Sequence, residues 1–102
     1  MRLWLDDQRP MPADYEVRVT TAAEAIAALE GGEITAVSLD HDLGDEAEVG
    51  SGYQVACWIE AAAFEGRLRR LEWRVHSANP IGRRRMEAAL QAADRAWSRG
   101  GD

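Results

Sequence analysis

The chain has 102 residues, with 18 acids against 12 bases, a formal net charge of −6, and no Lys among the bases, which are all Arg. At this length one domain over residues 1–102 is expected, and 46% hydrophobic with 29% charged residues is globular rather than disordered composition. A single Cys excludes a disulfide framework and a Cys-rich zinc site, no apolar run approaches the ~18 residues that cross a bilayer, and the acidic balance argues against an extended nucleic-acid surface. The opening Met1-Arg2-Leu3-Trp4-Leu5-Asp6 is not the apolar core of a signal segment, so the expected location is cytoplasmic.

The first element is a short apolar strand, Met1 to Leu5, stopped by Asp6-Asp7-Gln8-Arg9-Pro10. Pro10 and Pro12 make residues 6–15 a loop. A brief second strand covers Glu16 to Thr20. Thr21 and Glu24 then stand at capping-box spacing before a helix whose Ala22, Ala25, Ile26 and Leu29 share a face, and Gly31-Gly32 ends it. Ile34 to Leu39 reads as a third, central strand, followed by an acidic, Gly-containing loop through Gly52.

A second helix is expected from about Gly52 to Phe64, with Ser51 and Gln54 spaced as a capping box and Val55, Ala56, Ile59 and Ala63 buried. Leu71 to His76 alternates as a half-exposed edge strand. The last helix opens at Asn79-Pro80 and carries Met86, Leu90, Ala93 and Trp97 as its seam; residues 99–102 are expected to be a frayed tail. Trp73 and Trp97 fit core positions, Trp4 and Trp58 either core or interface, and Tyr53 either core or a stacking surface. The order β-β-α-β-α-β-α predicts an α/β fold: a small three-layer parallel sheet of about four strands, order 2-1-3-4, with three helices. The last helix is expected to cover the face that a missing first helix would leave open.

Three polar clusters fall at the carboxyl ends of predicted strands: Asp6-Asp7, Asp40-His41-Asp42 and His76-Ser77-Ala78-Asn79. Ligand crevices in open α/β sheets lie outside those ends, so segments distant in sequence are expected to meet there. Crowded carboxylates repel unless a cation joins them, and Mg²⁺ suits a few carboxylates plus a phosphate. His41 and His76, the only histidines, are placed to exchange protons with a phosphodiester and its water. Ser77 either caps a turn or meets phosphate as donor or nucleophile. Asn79, Pro80 and Arg83 to Arg85 open a helix whose free N–H groups suit an anion; the alternative for the Arg run is a solvated face. Arg9 stands on the same rim, whereas Arg67, Arg69 and Arg70 precede the fourth strand on the opposite one.

With these residues in hand, the chain resembles a response-regulator receiver domain, a flavodoxin-like fold. Asp6-Asp7 matches its acidic pair, Asp40 its phosphoacceptor and Ser77 the Ser/Thr of its next strand. It departs from receivers in the Pro-containing loop that replaces the first helix, and in lacking the fifth strand and its Lys. It resembles more closely the cyclic-phosphate processing receiver domain family. The resemblance rests on Leu5-Asp6-Asp7-Gln8-Arg9-Pro10, Ser38 to Gly44, Gly52-Tyr53 and Val75 to Arg83. It implies processing of cyclic phosphates on nucleotides or RNA ends.

The expected site therefore uses Asp6, Asp7, Asp40 and Asp42 as metal ligands, with Asp42 alternatively orienting His76. His41, His76, Ser77 and Asp40 would be catalytic, and Ser77, Asn79, Arg83 and Arg9 would hold phosphate. The leading expectation is a phosphoesterase assisted by Mg²⁺ or another divalent cation. The alternatives are a receiver-like phosphoacceptor or phosphate sensor, or a nucleotide-binding module that does not cleave. The resemblance implies a cyclic phosphate of a nucleotide or RNA end as substrate or ligand; no membrane partner is expected, and two free sheet edges leave room for a homodimer.

Overall fold

The computed structural model describes residues 1–100, in the order β1 (Arg2–Leu5), β2 (Val17–Val19), α1 (Ala22–Glu30), β3 (Ala36–Leu39), α2 (Glu46–Val49), α3 (Gly52–Phe64), β4 (Glu72–Val75) and α4 (Pro80–Arg99). The strands form one parallel sheet, β2-β1-β3-β4, the expected order. The register places the site. Leu5 lies opposite Val19 and Leu39, and Leu39 opposite Val75, so β1, β3 and β4 end level. The next residues, Asp6, Asp40 and His76, leave the sheet side by side.

The caps explain why the helices start where they do. Thr21 and Glu24 form the full capping box, Ser51 Oγ accepts from Gln54 N, and Asn79 Oδ1 accepts from Gly82 N with Pro80 in the first helical position. The stretch expected to be loop also contains a fourth helix, the single turn α2. Asp45 caps it by accepting from Ala47 N, Glu46 and Glu48 suit its positive end, and Gly50 at φ 74° ends it. At the other end of the chain, α4 runs through Arg99 and Gly100 N–H bonds to Ala96 O. Of the expected tail, Gly101 and Asp102 lie outside the described residues.

Strand alternation separates two unlike sheet faces. Leu3, Leu5, Val19, Val37, Leu39 and Val75 join the buried faces of α1, α3 and α4 in one apolar core. Arg2, Trp4, Arg18, Ser38, Glu72 and Arg74 take the opposite face by alternation.

The expected third layer is not formed. The crossovers β2-α1-β3 and β3-α3-β4 step the same way along the sheet, and right-handed connections then put both helices on one side. Helix α4 lies alongside α3 and spends its only apolar seam, Met86, Leu90, Ala93 and Trp97, in the same core. The other face has a polar alternation that needs no helix. The 6–16 loop covers part of it, with Tyr15 edge-on to Trp4 at 5.5 Å. Among the described residues no helix is long and apolar enough to cross a membrane.

Candidate functional site

Asp6 is fully buried, and every part of its carboxylate is engaged. Oδ1 accepts from Gln8 N at 2.8 Å and Arg9 N at 2.9 Å, turning the chain back after β1. Oδ2 faces His76 Nε2 at 3.0 Å. Burial pushes the acid's pKa up, but the two amides and His76 outweigh it, and the net shift is downward. Asp40, at the end of β3, behaves oppositely. Its pKa is raised, first by burial and then by the charge of Asp6, against the pull of its own bond from His41 N at 2.9 Å. One carboxylate oxygen from each of Asp6, Asp7 and Asp40 lies within 4.8 Å of the others. With Arg9, Asp42 and Ala78 they line a crevice of about 370 Å³.

That oxygen-only donor set fits a hard divalent cation. Asp42 lies outside the trio. Its Oδ1 accepts a hydrogen bond from His41 Nδ1–H at 2.8 Å. Asp42 does not orient His76, contrary to that alternative, because Asp6 and Ser38 already hold both nitrogens of that ring.

The structure gives the two histidines different surroundings. His76 extends from β4 onto the open sheet face, where its ring stacks on Trp4 at 3.9 Å with planes 3° apart. A carboxylate can only accept, so Nε2–H donates to Asp6 and Nδ1 accepts from the Ser38 hydroxyl at 2.8 Å. Burial lowers the pKa of His76, against the opposite pull of Asp6 and Asp40, and favours this neutral form. His41 lies against the start of α4. A Cβ on Gly82 would come within 2.4 Å of its Cδ2, and one on Gly52 within 1.9 Å of Asp40 O. Both positions require glycine for α3 and α4 to close on the Asp40-His41 corner. His41 Nε2 has no hydrogen-bond partner among the described residues, and it is not sealed from solvent.

The profile of the cyclic-phosphate processing receiver domain matches residues 1–92, spanning every strand and all three strand-end clusters. The chain belongs to that family. Searches of curated proteins and of solved structures each returned no match.

The remaining expected residues of this receiver domain are only partly brought to the crevice. Ser77 is buried, and its Oγ accepts from Asn79 N at 3.1 Å, while Asn79 caps α4. Arg9 lines the crevice and reaches across the sheet end, its guanidinium donating to His76 O. The Arg run begins only at the fourth residue of α4. Arg83 is exposed and pairs with Glu87 at 3.5 Å, and Arg85 covers the Tyr53 ring at 4.2 Å.

Sequence reasoning missed Ser38 and Trp4, which hold His76 in place. Ser38 carried a usable signal. It is a hydroxyl inside the apolar run Ala36-Val37-Ser38-Leu39, and a buried hydroxyl there requires a partner.

Proposed function

We propose that this receiver domain is a metal-assisted phosphoesterase acting on a cyclic phosphate of a nucleotide or an RNA end. The observation that carries the reading is the meeting of Asp6, Asp7 and Asp40 within 4.8 Å, in a chain of a cyclic-phosphate processing family. Asp7 and Asp40 would hold Mg²⁺, with Asp6 behind them. When bound, the cation would neutralise the carboxylates and polarise the phosphoryl oxygens.

The chain's own groups supply the rest. His41 is the proton carrier: Asp42 fixes Nδ1–H and leaves Nε2 to take a proton from water. Water oxygen bonds to phosphorus, one P–O bond of the ring breaks, and the proton returns from Nε2 to the released hydroxyl. His76, with both nitrogens engaged, keeps Asp6 in place rather than exchanging protons. Arg9 meets the phosphoryl group from the crevice wall, while Ser77 and Asn79 shape the start of α4 beside it.

Turnover of a panel of 2′,3′-cyclic nucleotides, with and without Mg²⁺, tests the reading. Mg²⁺-dependent opening that is lost in Asp40→Asn supports it, and no turnover across the panel overturns it. Two other outcomes identify the alternatives. Tight calorimetric binding of an unchanged ligand indicates a sequestering module. An Asp40-dependent mass adduct after incubation with a small phosphodonor indicates a phosphoacceptor.

A further inference from the structure

On the side of the helical layer away from the sheet, α3 and α4 leave a trough of about 540 Å³ between them. Ala61, Ala92 and Ala96 keep it shallow, and Phe64, on the last turn of α3, stands at its edge with 75% of its surface exposed. No other large apolar residue of the described chain is as exposed, and nothing in the core uses it. The two banks carry opposite charge: Glu60 and Glu65 on α3, Arg95 and Arg99 on α4. Glu65 pairs with Arg67, but Glu60, Arg95 and Arg99 have no ion pair among the described residues.

We infer that this trough is a self-association surface whose occupant is a second copy of the same chain, α3 of each copy lying over α4 of the other. The charge pattern selects this arrangement. A two-fold axis across the helices would set the Glu60 side chains of the two copies against each other. An axis running along the trough instead places Glu60 and Glu65 opposite Arg95 and Arg99 of the partner subunit. It also carries each Phe64 onto the partner's alanine-lined trough, where it loses its contact with water.

Helices α3 and α4 both begin at the acidic crevice, with Gly52 against Asp40 and Gly82 against His41. An axis along them therefore keeps both crevices at the same end of the dimer. The interface uses the helical layer and leaves the sheet edges free.

Sedimentation equilibrium of the full chain over a wide concentration range tests the inference, with far-UV circular dichroism confirming that each variant is folded. The expected result is a reversible monomer–dimer equilibrium, weakened about 100-fold or more by Phe64→Glu, as for a central hot-spot residue. Glu60→Arg and Arg95→Glu should each weaken it, and the two combined in one chain should restore it, because the new charges again face each other. A chain that stays monomeric at its highest soluble concentration overturns the inference and leaves the trough to a different protein. A dimer untouched by Phe64→Glu overturns it in favour of the sheet edges.

Discussion

His41 and His76 are the only histidines of the chain, and each ring bonds a carboxylate at the strand ends, Asp42 and Asp6 respectively, yet they belong to opposite sides of the sheet. His76 lies on the face without helices. It is stacked on Trp4 and bonded at both ring nitrogens, one of them to the buried Asp6. His41 lies on the helical side with one nitrogen fixed by Asp42 and the other open. The lesson is that adjacency to carboxylates does not assign a role. What assigns it is how many of the ring's two nitrogens the fold has already used.

The contrast can be broken most directly at His41. The His41→Gln variant is expected to lose about 100- to 10,000-fold in cyclic-phosphate turnover, as for removal of a general acid–base. Its melting temperature should hardly change. A variant that keeps its rate would place proton transfer elsewhere.

The carboxylates between the two rings give the next largest effect. Thermal melts should rise with Mg²⁺, by about 2.7 kcal/mol at a hundred times the dissociation constant. Asp40→Asn should lose that response while being more stable than the parent without metal near neutral pH, because burial and Asp6 disfavour the ionised form of Asp40. A variant that still responds to Mg²⁺ would move the metal away from Asp40.

His76→Ala addresses the other corner. It leaves Asp6 Oδ2 and the Ser38 hydroxyl without their partner and empties the space over Trp4, an expected cost of about 1–3 kcal/mol in urea unfolding. An unchanged midpoint would mean that His76 is dispensable to the fold.

The smallest effect sharpens the comparison through pH. The pKa of His76 lies below 6.5 in the folded chain, so its contribution is complete above that pH and drains away as the pH falls through the folded value. Asp6 lies below 3.8, and its contribution is lost only at still lower pH, as that carboxylate protonates. Urea midpoints measured downward from neutrality should therefore carry a loss from His76 and, at lower pH, a second from Asp6, offset in part by the gain as the raised Asp40 takes up its proton, and His76→Ala should remove the first loss. A profile identical in parent and variant would count against the neutral His76 pairing.

Much of this was legible from local chemistry. Thr21 with Glu24, Ser51 with Gln54, and Asn79 with Pro80 announced the three long helices, because a cap is a relation between residues three or fewer apart. The level strand ends followed from short apolar runs, each closed by polar residues. Helix α2 escaped because one turn held by Asp45 has no apolar period to reveal it. The Ser38-His76 and Asp6-His76 bonds span 38 and 70 residues, a separation at which neither spacing nor periodicity carries information.

By itself, then, the sequence determined which residues could do chemistry and that the ends of three strands would gather them. Alternation and capping are short-range, and they act the same whatever the rest of the chain does. Only the tertiary structure decided the number of layers, since α4 could have closed either face until its single seam met α3. Only the tertiary structure divided the two histidines, since each ring's free nitrogens depend on partners supplied by other strands and helices.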